Sequence, residues 1–306
     1  MSGQGIAPRY LYGIVGKPLG HSISPALHNW GFCRAGYPGV YLAWEKDAEE
    51  LPDFFRTVRS LPLAGLSVTI PHKRAVLPFL DSLTATAARA GAVNTVYRAQ
   101  DRLVGDNSDV HGFLAPLLRR AGSEKTLPRR VLLLGAGGVC RAALAALSSL
   151  PEQPGPDSGM ELYVAARDPG KAAALADDFS CTLVAWSELD QLLRHFSPEL
   201  LVNATPLGMS GAQAGKSPMN EELWRLLARS AARNAAKGRL PLAYDLVYTP
   251  EDTPFLREAA AHGLACLGGL EFFAAQAGCQ FRLWTGLELP QHELEARARA
   301  LLTQAG

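Results

Sequence analysis

The sequence predicts an α/β protein with two α/β domains, each built on a mostly parallel sheet, and a helical C-terminal segment. The chain has 306 residues, of which 48% are hydrophobic, and this is enough for two hydrophobic cores. Short apolar runs alternate with helix-like stretches, a pattern typical of helices that cover a parallel sheet. A glycine-rich turn, "GAGG", follows an apolar run near the middle of the chain.

The first domain is predicted over residues 1–110. We expect strands at 10–15, 40–44, 66–70 and 92–98, because each is a short apolar run rich in β-branched or aromatic residues. We expect helices between them, at 25–35, 51–60 and 73–83. Each helix would return the chain to the same end of the sheet, so most strands would be parallel.

The second domain is predicted over residues 111–267. Its strands are expected at 129–135, 161–167, 198–206 and 240–248, and its first helix at 139–150. The last residues, 268–306, have a helical pattern over 271–286 and 292–304, so we treat them as a separate C-terminal segment.

Composition excludes several classes of function. Thirty Lys and Arg residues balance 29 Asp and Glu residues, which argues against binding to nucleic acid or to an acidic membrane surface. No signal peptide or membrane-spanning apolar run is visible, and no spacing of His, Cys, Asp or Glu indicates a metal site. The scattered cysteines indicate reduced thiols in a cytoplasmic protein; they are Cys33, Cys140, Cys181, Cys266 and Cys279.

The glycine-rich turn predicts a dinucleotide site in a Rossmann-type, doubly wound domain. Gly135 and Gly137 permit a tight turn and a close approach of the backbone to a pyrophosphate. The helix that follows would direct its N-terminal amides at that anion. The third glycine of the usual motif is replaced by Cys140, which is small enough for close packing. The predicted contact residues are Gly135, Ala136, Gly137, Gly138 and Val139.

The end of the next strand carries both an acidic and a basic residue. Asp168 would suit the ribose of NAD, whereas Arg167 would suit the 2′-phosphate of NADP. A helix start at Asp168-Pro169 explains the aspartate without a ligand but leaves Arg167 unexplained. The pattern therefore favours NADP and keeps NAD as the alternative. Lys171 lies close enough in sequence to assist.

Two polar residues in the first domain are not explained by the local secondary structure. Lys73 follows the carboxyl end of a strand, where open α/β sheets bind ligands, although a solvated surface lysine is the alternative. In "GDNSD", one residue suffices to cap the next helix, so Asp109 is surplus to capping. His111, which follows, has no partner motif and is expected to be structural.

The stretch "GKPLGHSISPALHN" places Ser22 and Ser24 directly before Pro25. Ser24 is a natural N-cap and Pro25 a natural first helical residue. The two hydroxyls would then lie at a helix N-terminus, which favours an anion. The alternative is that Ser24 only caps the helix.

Eight motifs together resemble the shikimate dehydrogenase family over residues 12–286. They occur in the family's order and spacing: "HSISP", "SVTIPHK", "GAVNT", "GDNSD", "GAGGVCR", "NATPLGM", "YDLVYTPEDTPFL" and "GLEFFAAQA". The resemblance implies NADP-linked, reversible reduction of 3-dehydroshikimate to shikimate in aromatic amino-acid biosynthesis. It also implies an N-terminal substrate domain, a nucleotide domain, and C-terminal helices that return to the first domain.

The resemblance assigns roles to residues of this sequence. Lys73 and Asp109 match the catalytic pair, and Ser22 and Ser24 match residues that bind the substrate carboxylate. The other positions that match substrate-binding residues are Thr69, Asn94, Tyr248 and Gln276. On the cofactor side, the matching positions besides the glycine turn are Arg167, Lys171, Thr205, Met209, Val247 and Gly269.

The sequence departs from the family pattern at several positions near these motifs. Ser67 replaces a usual asparagine, Ser108 a common threonine, Val110 a usual glycine, and Phe272 a common methionine. Two alternatives therefore stay open: an NAD-preferring quinate/shikimate dehydrogenase, and a catalytically inactive nucleotide-sensing homologue. The second is disfavoured because Lys73 and Asp109 are both present. Either a monomer or a homodimer is compatible with the sequence.

Overall fold

The computed structural model describes residues 7–122, 127–150, 159–235 and 241–305. They form two compact units. The first unit comprises Met1–Phe113 and Ala274–Gly306, and the second comprises Leu114–Phe273. Most of the predicted C-terminal segment thus belongs to the first unit.

The first unit contains a six-stranded sheet and its helices. Its elements are β1 (Tyr10–Gly16), α1 (Ser24–Arg34), β2 (Gly39–Glu45), α2 (Leu51–Ser60), β3 (Leu63–Val68), β4 (Ser82–Leu83), α3 (Ala85–Ala90), β5 (Thr95–Ala99), β6 (Arg102–Asp106) and the start of α4 (Ser108–Ala121). The strand order is β2-β1-β3-β5-β6-β4. Strands β2, β1 and β3 are parallel, whereas β5 is antiparallel to both β3 and β6.

The strand register gathers several strand ends at one edge of this sheet. Val15 of β1 pairs with Val68 of β3, so the carboxyl ends of these two strands are level. Thr95, the first residue of β5, pairs with Ser67 on one side and with Asp106, the last residue of β6, on the other. The segments that follow β1, β3 and β6 and the one that precedes β5 therefore leave the sheet at the same edge.

The helix predicted at 73–83 does not form. This segment contains turns and one 3₁₀ turn at Leu77–Phe79, followed by the short strand β4. The Lys73 carbonyl accepts a hydrogen bond from Val93 N–H at 2.7 Å, and Leu77 N–H bonds to Arg74 O instead. Pro78 has no N–H to continue a helix. Lys73 therefore lies in a loop and not at a helix start.

Other differences in this unit concern its central strands. The strand expected at 66–70 ends at Val68, and the one expected at 92–98 begins at Thr95. The hairpin partner β6 and the helix α3 were not predicted, because segments of five and six residues are too short to show a clear period. The sheet nevertheless remains mostly parallel.

The second unit contains the doubly wound sheet that was predicted, with strand order β12-β11-β10-β7-β8-β9 and every pair parallel. Its elements are β7 (Arg130–Leu134), α5 (Gly138–Leu147), β8 (Glu161–Ala166), α6 (Pro169–Phe179), β9 (Thr182–Ala185), α7 (Leu189–His195), β10 (Leu200–Asn203), α8 (Glu221–Ala235), β11 (Leu242–Asp245), α9 (Pro254–Ala261) and β12 (Ala265–Leu267). Strands β8 and β9 are added on one side of β7, and β10 to β12 are added on its other side. Ligands bind at such a switch point in the strand order.

Helices α10 (Gly269–Thr285) and α11 (Gln291–Ala305) end the chain. From Ala274 onward they belong to the first unit, where Phe281 joins a buried cluster with Tyr12 and Phe32. Trp284 packs on Tyr12 with ring centroids 5.4 Å apart and donates its indole N–H to Val96 O. A Cβ at Gly65 would lie 2.4 Å from Trp284 Nε1, so this strand position requires glycine.

Each unit has its own core. In the first, Val15, Phe55 and Leu66 lie in one buried cluster, and in the second Leu132, Trp224 and Phe255 lie in another. Within the described ranges, no helix is both long and apolar enough to cross a membrane.

Candidate active site

Lys73 and Asp109 form a buried ion pair in the first unit. Lys73 Nζ lies 2.5 Å from Asp109 Oδ2, and the two side chains are 15% and 4% exposed. The bond from Val93 N–H to the Lys73 carbonyl anchors the loop that carries the lysine. Asp109 lies in the first turn of α4, and its N–H donates to Asn107 Oδ1 at 3.1 Å, so Asn107 caps this helix. The capping role is filled, which leaves the Asp109 carboxylate for Lys73.

Asn94 lies directly beside this pair. Its Nδ2 donates to Asp109 Oδ1 at 2.7 Å and to Ser108 Oγ at 3.0 Å. Its Oδ1 accepts from Ser108 N–H and from Thr95 Oγ1, both at 2.7 Å. The asparagine thus connects the start of β5 to the start of α4. Gln276, from α10, accepts from Ser108 Oγ at 3.3 Å.

Ser22 and Ser24 differ from the capping prediction. Helix α1 begins at Ser24 itself, and the preceding residue, Ile23, has helical backbone angles and makes no side-chain cap. Ser22 Oγ accepts a long bond of 3.4 Å from Ser24 N–H, and the Ser24 hydroxyl makes no hydrogen bond to the described residues. The explanation that Ser24 only caps a helix is therefore wrong.

Thr69 lies between these groups along the edge of the sheet. Its N–H donates to Val15 O at 3.0 Å, and its carbonyl accepts from His72 N–H at 2.8 Å, so its backbone joins β1 to the Lys73 loop. Its half-buried hydroxyl has no partner among the described residues. The structure therefore brings Ser22, Ser24, Thr69, Lys73, Asn94, Asp109 and Gln276 into one unit.

The glycine turn of the second unit has the geometry that a dinucleotide requires. Gly135 has φ +106°, and a Cβ there would lie 2.8 Å from Thr205 Cγ2, so glycine is required at this position. Gly137 precedes α5, which starts with Gly138 and Val139 and has no side-chain cap. A Cβ on Gly137 would meet no atom within 4 Å. A ligand therefore has room beside Gly137 at the start of α5, and Ala136 lies within the same turn.

Two basic residues, Arg167 and Lys171, follow β8. Arg167 is exposed, as is the neighbouring Asp168, and the Arg167 guanidinium makes no ion pair with the described residues. Lys171 lies in the first turn of α6, but its side chain lies outside the described part of the structure. A neighbouring basic residue, Arg141, is not available, because it is buried and paired with Asp178 and lies over the Phe179 ring.

Thr205, Met209 and Val247 follow the carboxyl ends of β10 and β11. Thr205 Oγ1 donates to Asn203 Oδ1 at 2.7 Å and accepts from Leu207 N–H, so it shapes the turn after β10. Met209 is 37% exposed, while Val247 is buried. A Cβ at Gly269 would lie 2.2 Å from Val247 O, so Gly269 lets the start of α10 approach this strand end.

Asp245 ties these two strand ends together. Its carboxylate accepts from Asn203 Nδ2, Val247 N–H and Thr253 Oγ1 at 3.0, 2.9 and 2.6 Å. Burial raises the pKa of Asp245 to about 7, although these three hydrogen bonds oppose the shift. Tyr248, the substrate-binding candidate that lies in the second unit, stacks on Phe273 with centroids 4.3 Å apart.

Sequence reasoning missed several residues that support the site. In the first unit these are Tyr41, Thr95 and Gln280, whose hydrogen bonds lead to Asn94, and in the second they are Asn203, Asp245 and Thr253. Asn203 and Asp245 carried a signal, because each is a polar residue at the end of an apolar strand. Of the departures from the family pattern, Ser67 and Ser108 join the hydrogen bonds around Asn94; nothing in the structure explains Val110 or Phe272.

The two units together define a class of protein. A lysine held by a buried carboxylate can pass a proton to and from an oxygen atom, while the glycine turn is suited to a dinucleotide. An α/β protein with both features is a nicotinamide-dependent dehydrogenase.

The family follows from similarity to known proteins. Residues 14–96 match the family model described as the shikimate dehydrogenase substrate binding domain. The chain is 45% identical to the shikimate dehydrogenase (NADP(+)) of Oleidesulfovibrio alaskensis, over 97% of this chain and 96% of that protein. It is 43% identical to that of Pelobacter propionicus, over 95% and 96%. The chain belongs to the shikimate dehydrogenase family.

The fold is similar to solved structures of the same family. The shikimate 5-dehydrogenase of Thermus thermophilus, solved in complex with NADP(H) and shikimate, matches with a TM-score of 0.75 and 36% identity. The match covers 95% of this chain and 99% of that chain.

Proposed function

We propose that the protein catalyses the reversible, NADPH-dependent reduction of 3-dehydroshikimate to shikimate, in the pathway to chorismate and the aromatic amino acids. The observation that carries this proposal is the buried Lys73–Asp109 pair in a chain 45% identical to a shikimate dehydrogenase (NADP(+)). An inactive nucleotide-sensing homologue would not need to keep an ion pair of this geometry.

Lys73 is the proton donor in this proposal. A lysine ammonium can donate a proton, and a ketone oxygen gains negative charge as the ketone is reduced. Lys73 would give its proton to that oxygen and would take it back in the oxidation direction. Asp109 accepts one Lys73 hydrogen and leaves the other two N–H bonds of the ammonium for the substrate. Asn94 and Gln276 would contact the remaining hydroxyls.

Ser22 and Ser24 would bind the substrate carboxylate. The Ser24 hydroxyl makes no hydrogen bond to the described residues, and it lies in the first turn of an eleven-residue helix, at the positive end of the helix dipole. Hydroxyl and amide donors at a helix N-terminus stabilise an anion. Thr69, whose hydroxyl is also without a partner among the described residues, would donate to the same substrate.

The residues of the second unit fit NADP. The amides of Gly137, Gly138 and Val139 would hold the pyrophosphate, and Arg167 would pair with the 2′-phosphate, with Lys171 beside it. Thr205, Met209, Val247 and Gly269 would line the nicotinamide end. When bound, the cofactor exchanges a hydride with the substrate carbon. Tyr248 would complete the set of residues that contact the substrate.

An initial-rate comparison tests this function against the NAD-preferring alternative that Asp168 supports. Shikimate and quinate are each oxidised with NADP and with NAD, and kcat/KM is measured for all four pairs. We expect shikimate with NADP to be the best pair. A higher kcat/KM with NAD would assign the ribose to Asp168, and a higher kcat/KM with quinate would change the substrate.

Arg167 supplies the corresponding mutational test. A hydrogen bond to a charged group contributes about 1.5–3 kcal/mol, so Arg167→Ala should lower the NADP preference roughly ten- to hundred-fold. Arg225→Ala, on the exposed face of α8, is the matched control and should leave the preference unchanged. An unchanged preference in Arg167→Ala would contradict the assignment.

We further infer that the enzyme works in the cytoplasm as a monomer or a homodimer. All five cysteines are free, which fits a reducing compartment. Light scattering of the purified protein measures its mass, and a mass above that of a dimer would contradict this inference.

A further inference from the structure

Asn94 has only one possible amide orientation. Its Oδ1 lies 2.7 Å from Ser108 N–H, and a backbone N–H can only donate, so the oxygen must occupy this position. The Asn94 amide nitrogen then faces Asp109 Oδ1 and Ser108 Oγ, and both of its hydrogens are used. In this orientation Asp109 accepts from Asn94 on one oxygen and from Lys73 on the other.

The orientation of Gln280 is fixed in the same way. Its Nε2 lies 3.2 Å from the backbone carbonyl of Asn94, and a carbonyl can only accept. The same nitrogen lies 2.9 Å from Thr95 Oγ1. The single hydroxyl hydrogen of Thr95 is given to Asn94 Oδ1 at 2.7 Å, so Thr95 accepts from Gln280. Gln280 therefore contacts Asn94 twice, directly and through Thr95.

The other end of Gln280 is bound as well. Its Oε1 accepts from Ser67 Oγ at 3.0 Å, and Ser67 accepts from the Tyr41 hydroxyl at 2.7 Å. All these side chains are buried. Ser67 stands where the family usually has asparagine, and in this chain its hydroxyl is fully used by Tyr41 and Gln280. Each group in this chain donates to the next: Tyr41 to Ser67, Ser67 to Gln280, Gln280 to Thr95, Thr95 to Asn94, and Asn94 to Asp109.

We propose that Gln280 is a positioning residue for catalysis, which acts through Thr95 and Asn94 on the Lys73–Asp109 pair. Without the bonds from Thr95 and Gln280, the start of β5 that carries Asn94 would be held less firmly, and the Asn94 amide nitrogen, although still oriented by Ser108 N–H, would no longer be fixed against Asp109 Oδ1. Lys73 would lose the carboxylate position that aims its ammonium. This inference rests on the proposed function, because the reaction measured is the oxidation of shikimate with NADP.

Three variants test the proposal, each purified as the full chain. Thr95→Val keeps the shape of the side chain and removes its hydroxyl, and Gln280→Met keeps the length and removes the amide. Both should lower kcat about ten- to hundred-fold, because the bond from Asn94 to the charged Asp109 carboxylate is weakened as a result. The KM for shikimate should stay within about three-fold, because the carboxylate contacts are unchanged and only the Asn94 contact to a neutral hydroxyl is weakened. Thr95→Ser keeps the hydroxyl and should restore kcat to within about three-fold of wild type.

The control separates positioning from general destabilisation. Ser230→Ala removes a fully buried hydroxyl of the second unit, bonded to Leu227 O, and should lower the melting temperature without changing kcat. The proposal is overturned if folded Thr95→Val and Gln280→Met both keep kcat within about two-fold, or if Thr95→Ser is as impaired as Thr95→Val. If one of the two does not fold, the other decides. A wild-type protein that does not oxidise shikimate would refute the proposed function before any variant is compared.

Discussion

At the scale of single residues, the candidate site depends on which polar groups already have partners. Asn107 caps α4, so the carboxylate of Asp109 serves only Lys73 and Asn94. The Ser24 hydroxyl, in contrast, makes no hydrogen bond to the described residues, so it can bond to a ligand without giving up a protein partner.

Lys73→Ala should lower kcat about a hundred- to ten-thousand-fold and leave the KM for shikimate within several-fold. The reason is that Lys73 acts on charge that develops only in the transition state. Steady-state kinetics of shikimate oxidation measure both constants. Lys216→Ala, on the surface of the second unit, is the control. Near-normal turnover in Lys73→Ala would show that another group transfers the proton.

The double variant Ser22→Ala/Ser24→Ala should raise the KM for shikimate far more than it lowers kcat. The substrate carboxylate keeps its charge throughout the reaction, so its binding is nearly uniform in ground state and transition state. Each lost bond to a charged group costs about 1.5–3 kcal/mol. Since the Ser24 hydroxyl does not cap α1 and Ser22 accepts only one long bond, of 3.4 Å, from Ser24 N–H, the melting temperature should change little. A substrate analogue with a neutral group in place of the carboxylate should bind equally to the variant and to wild type. Strong discrimination by the variant would mean that other residues bind the carboxylate.

At the scale of elements, the glycine turn before α5 contains two glycines with different physical requirements. Gly135 combines a positive φ with close contacts to Ala204 and Thr205, whereas Gly137 has φ −86° and open space at its Cβ position. Only the first is needed for folding. The second leaves room for a ligand.

Gly135→Ala should therefore destabilise the protein, and Gly137→Ala should mainly weaken NADP binding. The second change costs at most about 1 kcal/mol of stability, the effect of alanine at a helix N-cap. Thermal unfolding and NADP titration of the two variants make the comparison. Equal NADP affinity in Gly137→Ala and wild type would contradict the placement of the pyrophosphate at this turn.

The prediction of elements from sequence succeeded where a strand is apolar and followed by a long helix. β7 and α5 were predicted because four buried residues precede glycines and a helical period. The segment 73–83 was mispredicted because its helical period competes with the bond from Val93 N–H to the Lys73 carbonyl, which no local pattern reveals. Likewise, Gln280 meets Ser67 across 213 residues of sequence. The reacting groups could be predicted from motifs, but the side chains that orient them depend on such long-range packing.

At the scale of the whole molecule, two buried titratable groups give the units opposite responses to pH. In the first unit, burial lowers the pKa of His28 to about 3, and the neighbouring Gln280 side chain only partly opposes this. At a pH above 6.5, the ordinary pKa of histidine, the neutral His28 contributes fully to stability. This contribution is lost as the pH falls from 6.5 towards 3. For Asp245 the raised pKa favours the protonated form, so its contribution is lost as the pH rises through about 7.

The His28 contribution can be measured directly. Below pH 6.5 the free energy of unfolding should fall by up to about 1.4 kcal/mol per pH unit from this residue alone. His28→Phe retains an aromatic ring that can stack on Tyr41 and removes the titration. Urea unfolding at several pH values between 4 and 7 should give a shallower slope for the variant. Parallel slopes would show that His28 is not the group responsible.

The division of the chain between the units has a consequence for synthesis on the ribosome. The second unit is continuous in sequence, so all its strands have left the ribosome once Phe273 has emerged. Most of the first unit is synthesised earlier, but its fold cannot be completed when Phe273 emerges. At that point Phe281 and Trp284, which cover β1, and Gln280, which bonds to Asn94, have not yet been synthesised or are still inside the ribosome. The part that is translated first is therefore finished last. A chain released early, before α10 is made, would carry Lys73 and Asp109 on an uncovered sheet, where exposed apolar side chains favour aggregation.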